Sequence, residues 1–423
     1  MKLKQRIGDF RVRELLTQGY LCERGRHRVY RVTKRKMTSE EAARVLADEA
    51  GVDAGGVSLA GLKDRQAITI QHMSVPGGRS VSLRRKELVI EPVGFAESEL
   101  SSSFSLGNAF EITVRELERR DISILRRNIP IVRESGLVNY FDDQRFGNLT
   151  YDQGWIARDL MQGRHEKALR ALLASHSRAD SGKALRFKRA LDESWGDWRA
   201  CRDVAGRFGQ HHSVFEHLGR TENDFAGAFR HVSSRLRLIH LYAWQSHIWN
   251  RAVCQLVRNH VPLPERVVLE GLEGPLATYA KGVPSAFVER SFRLPGDGLD
   301  DVDDPEARTL LEDVLARERM VPDDLRIDGV PGFQLKGEDR DLVLLPRHLR
   351  VRPARPDPLN RGHSHVQIRF DLPRGSYATL VVKRLMGRSI AESPNRAENT
   401  ARRGDRRPHS RAPRGRERGG RGA

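Results

Sequence analysis

Alternating apolar and polar residues mark the first strands of the chain. Residues 26–34, RHRVYRVTK, alternate as a half-buried strand does, with Val29 and Tyr30 pointing to opposite faces. Residues 107–117, GNAFEITVREL, show the same alternation. Both segments are therefore predicted to be strands.

Helical spacing follows the first strand. In residues 38–51, Thr38 and Glu41 have the spacing of a capping box, apolar residues recur at helical intervals, and a glycine ends the pattern. Residues 57–64, VSLAGLKD, then have an extended pattern that predicts a strand, and residues 122–136 predict another helix with a glycine stop. A strand, a helix and a strand in this order predict the opening of an α+β domain.

The texture changes in the middle of the chain, where long stretches rich in Arg, Ala and Leu predict helices. Strand-like sequence punctuated by glycine returns in residues 332–346 and 366–385. We therefore predict a discontinuous α+β domain, residues 1–150 and 335–386, with a largely helical domain, residues 151–334, inserted into it.

The chain is strongly basic, with 74 Lys and Arg against 56 Asp and Glu and a formal charge of +18. Residues 387–423 hold 11 Arg and 4 acidic residues, so this tail supplies +7 and residues 1–386 supply +11. An excess spread over the body predicts a polyanionic partner. The tail has almost no large apolar residue and is predicted to be disordered, serving either nonspecific attraction to phosphates or solubility.

The cysteines and the N-terminus exclude several classes of protein. Cys22, Cys201 and Cys254 stand alone, without a CxxC pair or the spacing of a zinc finger, so we predict neither disulfides nor a zinc site. The chain begins without an apolar stretch of signal-peptide length, and no uncharged run reaches the roughly 20 residues that span a bilayer. We therefore expect a soluble, cytoplasmic protein without a membrane or a metal partner.

Asp64 is the first candidate for chemistry. It lies in residues 61–71, GLKDRQAITIQ, between Lys63 and Arg65. A carboxylate between two cations is most often a solvated charge in a turn. The alternative is a reactive group that a rigid scaffold presents at a strand end or in the loop after it.

A second candidate is residues 137–148, LVNYFDDQRFGN, where aromatic side chains are mixed with amide and guanidinium donors. A base that has left its helix needs an aromatic plane against its face and hydrogen-bonding groups on its edge. The same composition also suits a strand end that packs its aromatic rings into a core. The segment alone leaves both interpretations open.

Taken together, these segments resemble the TruD family of tRNA pseudouridine synthases. GLKDRQAIT resembles the family signature that carries its catalytic aspartate, and NYFDDQRFG resembles the motif NYFGxQRFG. Further matching blocks follow the family's order, namely GDFRVRE, GNAFEITVREL, AWQSHIWN and LPRGSYAT. The resemblance covers residues 1–386 in patches and implies a mixed-sheet catalytic domain with a family-specific domain inserted.

The resemblance implies the isomerisation of uridine to pseudouridine in tRNA, at uridine 13, with Asp64 as the catalytic carboxylate. A neighbouring Lys or Arg keeps such a carboxylate ionised. The carboxylate then attacks C1′ of the sugar or C6 of the base, or removes a sugar proton. Nothing is oxidised, reduced or transferred from outside, so no cofactor is expected.

The resemblance also assigns the residues around Asp64. The residues that match the lining of the uridine pocket are Phe10, Asn139 and Tyr377, and Phe141 matches an aromatic residue beside it. Lys4 matches a basic residue that is expected to pair with the aspartate. The supporting residues expected in the same motifs are Lys63, Arg65, Gln144 and Arg145.

The chain departs from the family pattern at two positions. Asp142 stands where the NYFG pattern has glycine, which requires backbone angles that a non-glycine residue accepts. Trp249 stands where the helical motif usually has Phe. The Asp142 change and the Arg-rich tail leave an alternative function, a catalytically silent tRNA-binding or tRNA-folding factor of the same architecture. In either case we expect a monomer.

Overall fold

The alternating segments form strands, and most of these strands join one sheet. The computed structural model describes residues 1–180, 182–327, 329–330 and 333–388. The strands are β1 (Phe10–Leu16), β2 (His27–Arg35), β3 (Ile68–Pro76), β4 (Leu83–Arg84), β5 (Leu88–Ala96), β6 (Ser105–Leu117), β7 (Leu137–Val138), β8 (Arg266–Leu269), β9 (Leu276–Tyr279), β10 (Ser291–Leu294), β11 (Glu338–Asp341), β12 (Val343–Leu344), β13 (Arg347–Val351), β14 (Arg355–Pro356) and β15 (Ser364–Pro373). The tail predicted for residues 387–423 lies outside the described residues, apart from its first two positions.

The helices predicted for residues 38–51 and 122–136 form as the first two helices of the chain, and the middle of the chain contributes most of the others. The helices are α1 (Ser39–Ala50), α2 (Arg119–Ser135), α3 (Gly147–Thr150), α4 (Ile156–Met161), α5 (His165–Leu173), α6 (Gly182–Glu193), α7 (Trp198–Phe208), α8 (His212–Arg220), α9 (Phe225–Ala228), α10 (Ser234–His260), α11 (Pro305–Arg317) and α12 (Ala378–Leu385). In the described part of the chain, none of them is both long and apolar enough to cross a bilayer.

Within the described residues, nine strands form one mixed sheet in the order β13-β15-β6-β1-β3-β2-β5-β4, with β14 paired to β15. The central strands β1 and β3 run parallel, with Arg11 opposite Ile68. The other neighbours in the sheet run antiparallel. The predicted α+β class with a mixed sheet is therefore confirmed.

The strand predicted for residues 57–64 does not form. β1 pairs with β3 only at Ile68–Ile70, and among the described residues segment 57–64 pairs with the rest of β3 at a single position. Ser58 makes an isolated bridge to Ser74, and Asp64 lies in the loop before β3. Position in the sheet, which the local pattern does not contain, decided the outcome.

The strand predicted for residues 26–34 is β2, which buries Tyr30, Val32 and Lys34 on one face and exposes Arg31 and Arg35 on the other. Tyr30 packs with Leu46 of α1, and Val29 packs with Tyr20 on the opposite face. The predicted half-buried alternation and the opposite orientations of Val29 and Tyr30 are therefore confirmed.

Helix α1 begins and ends where its capping signals predict. Thr38 Oγ1 accepts a hydrogen bond from the Glu41 backbone N–H at 3.1 Å, and Glu41 Oε2 accepts one from the Thr38 N–H at 2.6 Å. Gly51 ends the helix with φ of 70°, a left-handed conformation that glycine adopts without steric cost. The capping box places α1 over the sheet, next to the loop that carries Asp64.

The strand-like prediction for residues 366–385 is correct only in its first half. β15 ends at Pro373, and α12 begins at Ala378. The buried residues of α12 include Ala378, Val381 and Leu385, which share one face of a helix. The β-branched composition of this segment concealed its helical spacing.

The middle of the chain is mainly helical, as predicted. Its longest helix, α10, buries Trp244 and Trp249 in a core that continues into the sheet domain. β8 pairs with β9, and β10 pairs with β11. The proposed domain boundaries after residues 150 and 334 stay a prediction.

Buried ion pairs join the N-terminal motif to the sheet. Arg115 on β6 donates to Asp9 Oδ2 at 2.9 Å and Asp9 Oδ1 at 2.7 Å, and to Asp357 Oδ1 at 3.0 Å. All three residues are buried. Because Asp9 immediately precedes Phe10, this cluster fixes where β1 starts.

We expect Arg115→Met to lower the free energy of unfolding by about 3–5 kcal/mol, since it leaves two buried carboxylates without their cation. The measurement is equilibrium unfolding in urea at neutral pH.

The matched control is Arg31→Met, which removes an exposed pair with Glu91 and should cost under about 1 kcal/mol. A loss for Arg115→Met no larger than that of the control would contradict the role assigned to the buried cluster.

Candidate active site

A cavity of about 610 Å³ lies where β1, the loop before β3 and the segment before α12 meet. The predicted site residues in its wall are Lys4, Phe10, Lys63, Asp64, Gln144, Arg145 and Tyr377. The fold thus brings together residues that are up to several hundred positions apart in sequence. The other predicted site residues, Asn139, Phe141 and Arg65, are not part of this wall.

Asp64 is held between a cation and a backbone N–H at the edge of the cavity. Its Oδ2 accepts a hydrogen bond from Lys4 Nζ, and its Oδ1 accepts one from the Gln66 N–H at 2.8 Å. Burial opposes ionisation of Asp64, but these hydrogen bonds and the charges of Lys4 and Lys34 lower its pKa below the usual value. Asp64 is therefore an ionised, partly buried carboxylate that faces a cavity.

Lys4 reaches Asp64 from a strained backbone position. Its φ of 55° is in the left-handed region, which is uncommon for a residue with a β-carbon. The segment is held in place because the backbone of Lys2 forms an isolated antiparallel β-bridge with Arg115 of β6. Lys4 Nζ also lies 4.4 Å from the centre of the Phe10 ring, so one cation contacts both the carboxylate and an aromatic wall.

Lys34, which the sequence analysis missed, supports the Asp64 loop from below. This residue is fully buried, and its ammonium donates to the backbone oxygens of Met37 at 2.8 Å, Lys63 at 3.1 Å and Asp64 at 3.1 Å. Burial lowers the pKa of Lys34 to about 8, although the charge of Asp64 acts in the opposite direction. The signal was present, because Lys34 shares the inward parity of Tyr30 in β2.

The two cations next to Asp64 in sequence have other partners. Lys63 Nζ lies 2.8 Å from Oε1 of Glu14, whose side chain is fully buried. Arg65 Nε donates to the backbone oxygen of Lys36 at 3.3 Å. Adjacent side chains in an extended loop point in different directions, and the pairing cation comes instead from Lys4.

Tyr377 and Arg145 lie together on one side of the cavity, where Tyr377 supplies an aromatic ring. Arg145 Nε donates to Tyr377 Oη at 3.2 Å. Phe141 packs behind Tyr377, with ring centres 6.1 Å apart in an edge arrangement. Phe141 therefore supports the tyrosine ring from outside the cavity wall.

Arg340, also missed by the sequence analysis, holds Asn139. Its guanidinium donates to the Asn139 backbone oxygen at 2.8 Å, to Asn139 Oδ1 at 2.9 Å and to the Gly375 oxygen at 3.1 Å. It lies 4.1 Å from the centre of the Phe141 ring. Burial lowers the pKa of Arg340 to about 10. Arg340 thus joins the Asn-Tyr-Phe segment to the glycine that precedes Ser376 and Tyr377.

Helix α10 fixes the same segment from the other side. Asn250 Oδ1 accepts from the Phe141 N–H at 2.9 Å, and Asn250 Nδ2 donates to the Phe141 oxygen at 2.9 Å. Trp249, the departure from the family's Phe, packs edge-on against Phe141 with ring centres 5.6 Å apart and donates to the Phe292 oxygen at 2.9 Å. The larger ring is accommodated, and its indole N–H has a partner.

Asp142, the departure from the family's glycine, has an ordinary extended backbone with φ of −106° and ψ of 173°. Its side chain accepts a hydrogen bond from Thr379 Oγ1 and lies 2.5 Å from Lys383 Nζ. Asp142 is not part of the cavity wall. The substitution therefore fits the loop without adding a carboxylate to the cavity.

A second cavity of about 480 Å³ lies beside α4 and α5. Its cations are already paired, Lys167 with Asp159 at 3.1 Å and Arg170 with Asp192 at 2.9 Å. Its wall contains none of the predicted site residues, so we assign it no chemistry.

Comparison with known proteins identifies the family of the chain. A family model described as tRNA pseudouridine synthase D (TruD) matches residues 1–273 and 286–385. A probable tRNA pseudouridine synthase D 2 from Methanocaldococcus jannaschii is 30% identical over 393 residues, which cover 91% of each chain. A tRNA pseudouridine synthase D from Aquifex aeolicus is 26% identical over 91% of this chain and 98% of that protein.

The fold has a counterpart among solved structures. The crystal structure of the putative tRNA pseudouridine synthase D from Methanosarcina mazei superposes with a TM-score of 0.67 at 24% identity, covering 91% of this chain and 93% of that one. At this identity the match supports the fold, and the family match supports the membership. The chain belongs to the TruD family of tRNA pseudouridine synthases.

Proposed function

We propose that Asp64 is the catalytic carboxylate for isomerisation of uridine to pseudouridine, and that the substrate is uridine 13 of tRNA. The observation that carries the assignment of Asp64 is its place in the cavity, ionised by Lys4 and adjacent to Phe10. The choice of position 13 rests on the resemblance of the motifs.

The reaction requires a carboxylate that stays charged in a partly dry site. It breaks the N-glycosidic bond, turns the uracil over and joins C5 to C1′. Each oxygen of Asp64 carries one hydrogen bond from the protein, which leaves lone pairs available to C1′, to C6 or to a sugar proton. The isomerisation needs no redox step, so the proposal includes no cofactor.

The aromatic wall and the basic surface lower the energy of the flipped nucleotide. Extruding a base costs a few kcal/mol, and stacking on an aromatic face returns about 1–3 kcal/mol. Phe10, Phe110 and Tyr377 supply rings in the cavity wall, while Arg145 supplies a positive charge for a phosphate. The charge of +11 on the body provides further attraction for tRNA.

The alternative of a silent tRNA-binding factor rested on Asp142 and on the Arg-rich tail, most of which lies outside the described residues. The side chain of Asp142 is paired outside the cavity, and its backbone angles suit any residue. The other departure from the family pattern, Trp249, is accommodated against Phe141 and its indole N–H has a partner. We therefore favour the enzyme, acting in the cytoplasm where tRNA is modified, and the monomeric state stays a prediction.

We expect Asp64→Asn to lower pseudouridine formation on unmodified tRNA by about 10³-fold or more, since the amide is neither a nucleophile nor a base. The dissociation constant for tRNA should change little, because the substitution preserves shape. Chemical detection of pseudouridine and a filter-binding assay measure the two quantities.

The control is Asp48→Asn on the exposed face of α1, which should retain the wild-type rate. Turnover by Asp64→Asn at the rate of this control would remove Asp64 from the catalytic role.

We expect Lys4→Met to raise the pKa of Asp64, because burial remains while the hydrogen bond and charge that oppose it are lost. In the wild type the low pKa keeps Asp64 ionised well into the acid range, so activity falls only below the usual carboxylate pKa of about 4. The acid limb of the pH–rate profile should move to higher pH in Lys4→Met and return towards the wild type in Lys4→Arg. An acid limb at the same pH in all three proteins would contradict the pairing.

The choice of position 13 has its own test. Pseudouridine should form at position 13 of a tRNA transcript, and a transcript with cytidine there should bind with similar affinity and yield no product. Mapping of the modified position along the transcript measures this. Modification at another uridine, with position 13 unchanged, would overturn the choice of substrate position without affecting the role of Asp64.

A further inference from the structure

We propose that Asp142 is a positioning residue, which couples the Asn-Tyr-Phe loop to α12 and so fixes two parts of the cavity wall relative to each other. This proposal rests on the proposed function and concerns the same cavity. It assigns a role to the position where this chain has a carboxylate and the family motif has glycine.

Both side-chain hydrogen bonds of Asp142 go to α12. One carboxylate oxygen accepts from Thr379 Oγ1 on the first turn, and the other lies 2.5 Å from Lys383 Nζ on the next turn. The side chain of Asp142 is 3% exposed, and that of Lys383 is 22% exposed. Burial opposes the charge on Lys383, but the neighbouring carboxylates outweigh it and raise the pKa of this lysine. The pair is thus a charged contact that is largely shielded from solvent.

Both sides of this contact continue directly into the cavity wall. On the loop side, Gln144 and Arg145 follow Asp142 by two and three positions and line the cavity. On the helix side, α12 begins right after Tyr377, and residues 375–379 all line the cavity. Asp142 therefore joins the two segments at the back, while the hydrogen bond from Arg145 to Tyr377 joins them at the front.

Loss of either partner leaves the other charge buried without its main counterion. Lys383 would keep only Asp143, whose carboxylate lies 2.7 Å away and is 40% exposed. We expect the Lys383 ammonium to move towards water in that case and to displace α12. Removal of both charges avoids this penalty, so the two residues should behave as one unit.

The test uses single-turnover rates on tRNA with saturating enzyme, together with the dissociation constant for tRNA. Asp142→Gly and Asp142→Asn should each lower the rate by about tenfold or more, because small displacements of a positioned wall are costly to the chemical step. Affinity for tRNA should stay within about twofold, since most of the binding surface is untouched. Lys383→Met should reproduce the defect, and Asp142→Gly combined with Lys383→Met should be less impaired than the product of the single defects.

The matched control is Asp143→Asn, the adjacent acid on the same lysine. It should keep the rate within about threefold, because Asp143 is the more exposed of the two acids and Lys383 retains its buried partner Asp142. A wild-type rate in Asp142→Asn, or defects of the two single variants that simply multiply, would overturn the proposal. Should Asp142→Gly fail to fold, Asp142→Asn and Thr379→Val decide the matter, since both preserve side-chain volume.

Hydrogen exchange separates this proposal from the proposed function. Exchange in residues 375–385 should speed up in Asp142→Asn, while exchange in β1 and β3 stays as in the wild type. Unchanged exchange in residues 375–385 would overturn the coupling whatever the activity. A wild-type protein that makes no pseudouridine on tRNA would overturn the proposed function. The coupling between the loop and α12 would then be tested by hydrogen exchange alone.

Discussion

A partly buried carboxylate stays ionised only while cations and N–H groups are held close to it. The candidate site of this protein is arranged to meet that requirement. Lys4 contacts Asp64 directly, and Lys34 holds the loop through the backbone oxygens of Lys63 and Asp64. Each of these cations comes from a different segment, so the charge state of one side chain depends on the correct packing of the sheet. The active site and the core of the domain are in this sense one structure.

The family motifs are linked to each other by buried charges. Asp9, in the first motif, forms an ion pair with Arg115 on β6. Glu14 of the same motif forms an ion pair with Lys63 from the loop that carries Asp64. These pairs contribute geometry more than net stability, because desolvation offsets much of their attraction. Their effect is to fix the positions of Phe10 and Asp64 on a common wall.

The middle of the chain contributes directly to the site through α10. Asn250 binds the backbone of Phe141 in the manner of a neighbouring strand, and Trp249 packs against the same ring. Arg340 completes the support by binding Asn139 and Gly375. Aromatic and amide groups that the sequence suggested for base contact thus also serve as the structural layer behind the cavity wall.

The sequence by itself determined the α+β class, the capped helix α1 and the helical middle of the chain, because capping and periodicity are local properties. The candidate residues around Asp64 came from the resemblance of the motifs to a known family. Only the tertiary structure showed that residues 57–64 form a loop, since this segment pairs with β3 at a single position, Ser58 with Ser74. The pairing of Lys4 with Asp64 was available from the sequence only through the family resemblance, and it depends on tertiary packing: the cations next to Asp64 in sequence have other partners, and Lys4 arrives from a segment 60 positions earlier. Pairing of charges depends on where distant segments meet in space, and that information lies in the packing of the whole chain.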